Sequence, residues 1–561
     1  MRILKILCYF SCCYILISGN VRTETKYGFI EGFEYKSELG KKYDVYLGIP
    51  YAKPPVGELR FEKPEEPNKW NETLDTKKYG AQCLQLTRED IFLETKEDCL
   101  FLNIIQPKVD NKKLPVLVWI HGGGYSLGSS NIYDYKNLIE SFASQEIIMV
   151  TLNYRLGILG FPSLGDNTMP GNYGYWDQQL ALKFIYDNIG NFNGDQTKLT
   201  IFGLSAGSGS VGALSISPHS RDYIFQAIQM SGSTLSNWAL GNDIVINSTK
   251  EVAYSLNCHD NIKKCLKTKT VDDFLDGIEN VGSSYNDISL LKFKPTLDND
   301  FFPKNVDKLM EESPKIPTYI GFTDQEGLFF TLLGLSKSIN SIYVNETEFK
   351  DFDKDKFIEK IKKYVATKQR YDDNYINVAE EISTFYIKQA EKVEPEINYR
   401  TYLTAYTQLS SDLIISIASL WEAEMKVKYG WPVWLYYNTY FNPVQYKANL
   451  PAQGATHANE YPYMFKINIF GKFEWNDRDV LYYNNLVKSI GNFVKYGSPS
   501  TETFEWKQMS VNNNYLIMND QPEMKINLLQ KTSDFWKSLR DKYNYDIVTD
   551  TPYNYKVNDE L

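Results

Sequence analysis

The sequence predicts an α/β fold with a large, mostly parallel central sheet and helices on both faces. Two observations predict it. Short apolar, β-branched runs recur along the chain with helical patterns between several of them, the alternation that builds parallel sheets through right-handed crossovers. Each run also ends on a loop of chemically versatile residues, and in such sheets sites form beyond the carboxyl ends of the strands.

Taken in order, residues 27–47 alternate enough to read as strands joined by a turn. Residues 116–120 lead into His121-Gly122-Gly123-Gly124, and 147–150 lead into Asn153-Tyr154-Arg155. Residues 177–189 carry a helical pattern. Residues 199–202 precede Ser205, 227–230 precede Ser231-Gly232-Ser233, and 317–320 precede Asp324-Gln325-Glu326-Gly327. Residues 433–437 come shortly before a long loop carrying His457. Residues 350–393 are charged and helical in pattern, which predicts a solvated insertion without chemistry. A length of 561 residues suggests three or four domains. Candidate site residues drawn from 121 to 457 must fold together, so one domain is expected over 20–550.

Composition fits a globular chain, with 43% hydrophobic and 23% charged residues. The net charge of −10 argues against a nucleic-acid partner. Arg2 and Lys5, an apolar run over 6–17, then Ser18 and Gly19, match a secretory signal over 1–19. That run is too short for a membrane span, which needs about 20 residues, and no other stretch approaches this length. Of seven cysteines, Cys8, Cys12 and Cys13 leave with the signal. Cys83, Cys99, Cys258 and Cys265 remain for an oxidising compartment. Four cysteines allow three pairings; pairing by proximity joins Cys83–Cys99 and Cys258–Cys265. A metal site is disfavoured, because His259 is the only nearby histidine and no C-x-x-C occurs. Asn71, Asn247 and Asn345 head glycosylation sequons. The tail, 551–561, ends Asn-Asp-Glu-Leu, close to the endings that a retention receptor of the endoplasmic reticulum reads. Residence in that lumen is expected, with secretion as the alternative.

The most informative stretch is Gly203-Leu204-Ser205-Ala206-Gly207. A strand turning sharply into a helix at a serine leaves that serine strained and exposed, and its flanking glycines have no Cβ to clash with neighbouring backbone. The helix start also aims N–H groups at charge forming beside the hydroxyl. A hydroxyl is a poor nucleophile until a base takes its proton. Only four histidines exist. His121 precedes three glycines, His219 lies in a turn and His259 in a tiny loop between cysteines. His457 alone combines a loop setting with the chain order serine, acid, histidine. The acid should follow a strand between the two. Glu326 fits, and Asp324 competes closely on spacing. His121-Gly122-Gly123-Gly124 lets backbone approach a reacting carbonyl, with Ala206 adding an N–H, so an oxyanion hole is expected there.

These motifs resemble the type-B carboxylesterase and cholinesterase family of the α/β-hydrolase fold. Gly48-Ile49-Pro50-Tyr51-Ala52-Lys53-Pro54-Pro55-Val56-Gly57 with Leu59-Arg60-Phe61 is one signature. Glu97-Asp98-Cys99-Leu100-Phe101-Leu102-Asn103 is another, and Asn153 to Gly157, Gly171 to Gly174 and Trp176-Asp177-Gln178 match as well. The resemblance implies Ser205, Glu326 and His457 as catalytic residues, choosing Glu326 over Asp324. It implies Gly123, Gly124 and Ala206 as oxyanion donors, and Ser231 as a serine hydrogen-bonded to the acid. It also implies both proximal disulfides and the ion pairs Arg60–Glu97 and Arg155–Asp177. Within the family the chain is most similar to the nematode gut esterases, non-specific carboxylesterases.

Two departures bear on substrate. Leu204 stands where the family usually has glutamate, and the loop from Cys83 to Cys99 holds no tryptophan to bind a quaternary ammonium. A further cysteine after Cys265 is absent, so a third family disulfide is missing. The expectation is a small-molecule carboxylic ester hydrolysed through an acyl-Ser205 intermediate, with no metal or cofactor required. An acetylcholinesterase-like enzyme and a non-catalytic adhesion module of the same fold are the rivals.

Overall fold

The structure, a computed structural model, describes residues 19–85, 95–110, 112–282, 284, 287–334, 341–446 and 450–553. The expected signal segment, up to residue 18, and the last eight residues of the tail lie outside them. The sheet strands are β1 (Asn20–Thr25), β2 (Gly28–Lys36), β3 (Lys42–Pro50), β4 (Phe101–Pro107), β5 (Leu114–Ile120), β6 (Ile148–Leu152), β7 (Gly194–Leu204), β8 (Gln226–Met230), β9 (Thr318–Thr323), β10 (Val433–Asn438), β11 (Tyr515–Met518) and β12 (Glu523–Lys525). Across the sheet they run β1-β2-β3-β4-β6-β5-β7-β8-β9-β10-β11-β12. From β6 to β11 every neighbour is parallel. Antiparallel strands close both edges.

The central strands are mostly apolar because both faces are covered. In β5, Val116, Val118 and Ile120 enter one core, while Leu117 and Trp119 enter the other. In β7, Leu199 and Ile201 face the first core and Phe202 and Leu204 the second. Helices α1 (Tyr173–Asn188) and α2 (Ala206–Ile216) pack on the first face. So do α3 (Lys354–Tyr364), α4 (Tyr375–Ala390), α5 (Tyr399–Ser411) and α6 (Ile417–Lys428). On the second face α7 (Asp477–Tyr496) buries Tyr482, Leu486, Ile490 and Phe493.

The insertion over 350–393 corrects the expectation of a solvated appendage. Most of its charges do face water, Arg370 excepted, but Phe357, Ile361, Val378 and Ile382 are fully buried in the main core. The helical period hid this, because an amphipathic helix with a narrow apolar stripe reads as polar in composition.

Both proximal disulfides are present, Cys83–Cys99 and Cys258–Cys265. Both ion pairs are too. Arg60 engages Glu97 through Nε and Nη2. Arg155 forks onto Asp177 at 2.8 and 2.7 Å, and its backbone N–H adds a third bond at 3.0 Å. This pair is almost wholly buried, where removing one partner strands a charge in the interior. Asp177→Ala is therefore expected to destabilise the fold by about 3–5 kcal/mol, read as a drop in Tm and in soluble yield. An unchanged Tm would show that the pair contributes nothing.

Candidate active site

Strand registry places the first two parts of the site side by side. In the β7–β5 ladder Gly203 faces Ile120, so the loops that follow end at one level. Ser205 begins there with φ 61° and ψ −126°, a conformation few non-glycine residues adopt. Its N–H bonds Met230 O at 2.9 Å and its C=O accepts from Gly209 N at 3.0 Å, so the strain is held from both sides. The flanking glycines are required by contact. A Cβ on Gly203 would lie 2.3 Å from Gly207 O, and one on Gly207 would lie 2.1 Å from Ile120 O.

The acid and the imidazole come from loops after β9 and β10. These loops are stitched together by backbone: Gln325 N–H donates to Ala455 O at 2.9 Å, and Ala455 N–H donates to Asp324 Oδ1 at 2.7 Å. The stitch aligns Glu326 with His457, and His457 Nδ1 meets Glu326 Oε2 at 2.6 Å. Glu326 Oε1 accepts the Thr323 N–H at 2.7 Å. The competition between Asp324 and Glu326 is thus resolved by geometry. Asp324 turns to the backbone, where burial raises its pKa to about 7. Phe329 and Phe330 pack on the imidazole with centroids 5.5 and 5.2 Å away.

Ser205 and His457 open into one cavity of about 380 Å³, together with Gly123 and Gly124. No hydrogen bond joins the Ser205 hydroxyl to His457, and bonds of this kind commonly tighten only when substrate is bound. Ala206 opens helix α2, so its N–H points out of the first turn. Leu204, Tyr461 and Ile469 line one side. Trp238, Leu290, Leu291, Ile414 and Ile415 line another. Nothing in the spacing of the sequence signalled this second set, because it gathers from three distant segments. None of the described residues that line it carries a carboxylate, an ammonium or a guanidinium.

The remaining histidines stay apart from this centre. His121 is buried against Tyr154, with Nδ1 at 2.8 Å from Gly122 O, and burial lowers its pKa to about 4. His219 lies near the Asp300 carbonyl, and His259 stacks on Tyr254. One expected contact is corrected. Ser231 Oγ is buried without a partner and does not bond Glu326. Ser231 is held instead through its own N–H on Gly321 O at 2.8 Å.

Against this geometry, the model of the carboxylesterase family matches residues 19–536. The chain belongs to the carboxylesterase family, and the reaction it carries out is hydrolysis of carboxylic esters by a serine enzyme. Its relatives include Gut esterase 1 of Caenorhabditis briggsae, 36% identical over 98% of this chain and 97% of its own length. Gut esterase 1 of Caenorhabditis elegans is 36% identical over 94% of each chain. The bile salt-activated lipase of Bos taurus is 30% identical over 92% of this chain and 87% of its own.

A second carboxyl beside the centre generates a test. Glu460 is fully buried. Burial, and then the charge of Glu326, raise its pKa to about 8. An unfolded glutamate titrates near about 4.3, so between these values the folded chain holds the extra proton. Stability therefore falls as pH rises through this window, and the whole penalty is present above about 8. Glu460→Gln removes it. The Tm of the variant relative to the native chain should rise steadily from pH 5 to pH 9, and a constant difference would contradict the burial argument.

Proposed function

We propose that the chain hydrolyses neutral carboxylic esters through a Ser205–His457–Glu326 relay. One observation carries the reading: a strained serine and a carboxylate-bound imidazole open into the same apolar cavity. His457 Nε2 removes the Ser205 proton as Oγ attacks the ester carbonyl. The N–H groups of Gly123, Gly124 and Ala206 receive the oxyanion. Collapse of the tetrahedral species breaks the C–O bond, and His457 returns the proton to the departing alcohol. Water, deprotonated by His457, then releases the acid from Ser205. Glu326 holds the Nδ1–H tautomer and stabilises the imidazolium.

The lining supports a neutral substrate over a cationic one. Leu204 supplies no carboxylate to pair with a desolvated ammonium. This weighs against a choline ester. The presence of all three relay residues weighs against a non-catalytic adhesion role.

A secretory setting is part of the same proposal. Asn71, Asn247 and Asn345 are all exposed, as glycan acceptors must be. Among the described residues no helix is long and apolar enough to cross a membrane. We place the protein in the endoplasmic reticulum through the Asn-Asp-Glu-Leu ending and a retention receptor, with export as the alternative outcome.

Ser205→Ala should abolish turnover of a chromogenic short-chain ester and labelling by an organophosphate; retained turnover refutes the relay. Glu326→Gln should lower kcat by about 10⁴ while leaving Ser205 present, and a loss below tenfold would remove Glu326 from the relay. Deleting the last four residues should move the enzyme from cells to medium, and an unaltered distribution would dismiss the retention signal.

A further inference from the structure

The wall formed by Trp238, Leu290, Leu291, Ile414 and Ile415 is apolar where it meets the cavity, but polar groups behind it hold its shape. Trp238 Nε1 donates to Ile414 O at 2.5 Å. Asn237 Nδ2 reaches Leu413 O and Ile547 O, both at 3.4 Å. The buried Lys294 ammonium donates to Asn237 O at 2.7 Å. The turn bearing Leu290 is the strained part, with Leu290 itself at φ 59°. A β-region or helical residue would relax it, so the surroundings must over-determine this conformation.

Asp287 supplies that constraint. Its Oδ1 accepts the Ser289 N–H at 2.9 Å, and its C=O accepts the Leu290 N–H at 3.1 Å. The same carboxylate takes the fork of Arg370, Nη2 to Oδ1 and Nη1 to Oδ2, both at 2.7 Å. Arg370 Nε then donates to Asp550 Oδ1 at 2.7 Å, which also accepts from Tyr545 Oη at 2.7 Å. Tyr364 O links the two sides, accepting from Ile288 N at 3.2 Å and from Arg370 Nη1 at 3.3 Å. One guanidinium therefore joins the cavity turn, the helical insertion and the C-terminal segment. All three charged side chains are buried or nearly so.

We propose that Arg370 is a positioning residue that sets the range of esters the cavity accepts, holding the turn 287–291, and so Leu290 and Leu291, through Asp287 and Asp550. A planar fork shared by two carboxylates fits one geometry only, which an ammonium cannot reproduce. Arg370 does not line the cavity and touches none of the relay. Its effect must therefore fall on which chains fit, and not on the reactivity of Ser205. In an apolar pocket each methylene is worth about 10- to 200-fold in discrimination, so a small displacement of two leucines is readable in selectivity.

The choice of probe rests on the ester reading, so the experiment has two arms on the full chain. In the first, Asp550→Asn and Arg370→Lys are compared with the native protein on p-nitrophenyl esters from acetate to decanoate, with Ser205 counted by a small organophosphate. The labelled fraction should stay the same. The decanoate-to-acetate ratio of kcat/KM should shift by at least about fivefold, mostly through KM, with Arg370→Lys no better than partial rescue. An unchanged ratio, or an equal loss across the series, overturns the proposal. In the second arm, 2-alkanones of increasing length bind the Ser205→Ala chain with and without each change, read by tryptophan fluorescence. A length preference that moves with Arg370 in a native chain inactive on every ester would sink the catalytic reading and leave this one standing. Length preferences blind to all the changes would sink this one alone.

Discussion

The approach of Gly207 to the Ile120 carbonyl, closer than any side chain would permit, governs the rest of the molecule. It lets β7 end in a turn tight enough to push Ser205 out of the sheet while α2 begins at once. Parallel registry then does the remaining work at this end. Because Gly203 is level with Ile120, the glycine-rich loop after β5 has nowhere to go but alongside Ser205. Hydroxyl and N–H donors thus converge through sheet geometry, before any side-chain interaction is formed.

The imidazole is brought in by a separate device. Its loop follows β10, two strands beyond β8, and is long enough to wander. Two backbone bonds to the β9 loop fix it, one of them accepted by Asp324. A carboxylate buried for this purpose is costly, as the upward push on its pKa records. The cost buys a register between two loops in which Glu326 meets Nδ1 and no other atom of the ring. Asp324 and Glu326 are two residues apart and look equivalent in sequence, yet one aligns backbone and the other aligns the imidazole.

This contrast marks where sequence reasoning succeeds and where it fails. The parallel sheet was legible because doubly covered strands must be largely apolar, and 116–120, 199–202 and 227–230 are. The elbow was legible because its constraint is local: two glycines and a serine within five residues. The choice between Asp324 and Glu326 was not, since it depends on a loop more than a hundred residues away. Ser231 shows the same limit from the other direction. Its position in the chain fits a bond to the acid, but in the fold its hydroxyl meets no partner. The apolar wall was invisible, because Trp238, Leu290 and Ile414 share no period or motif and meet only after folding. The insertion was misread as solvated because its few buried residues are diluted among many charges.

Charge is distributed in a way that serves this chemistry. The described residues of the cavity lining carry no carboxylate, ammonium or guanidinium, yet charges stand behind it. Beneath the elbow the buried pair Glu422–Lys426, 3.0 Å apart, engages Ser233 Oγ, Thr234 N and Gln229. Behind the opposite wall stands the cluster of Asp287, Arg370 and Asp550. The Glu422–Lys426 pair balances its own charge, and the hydrogen bonds of both sets stiffen the backbone that frames the cavity. An apolar lining on a stiff frame keeps water and counter-charge away from the reacting carbonyl. Fixed N–H dipoles then act on the developing oxyanion with little screening, the condition under which such donors are worth most.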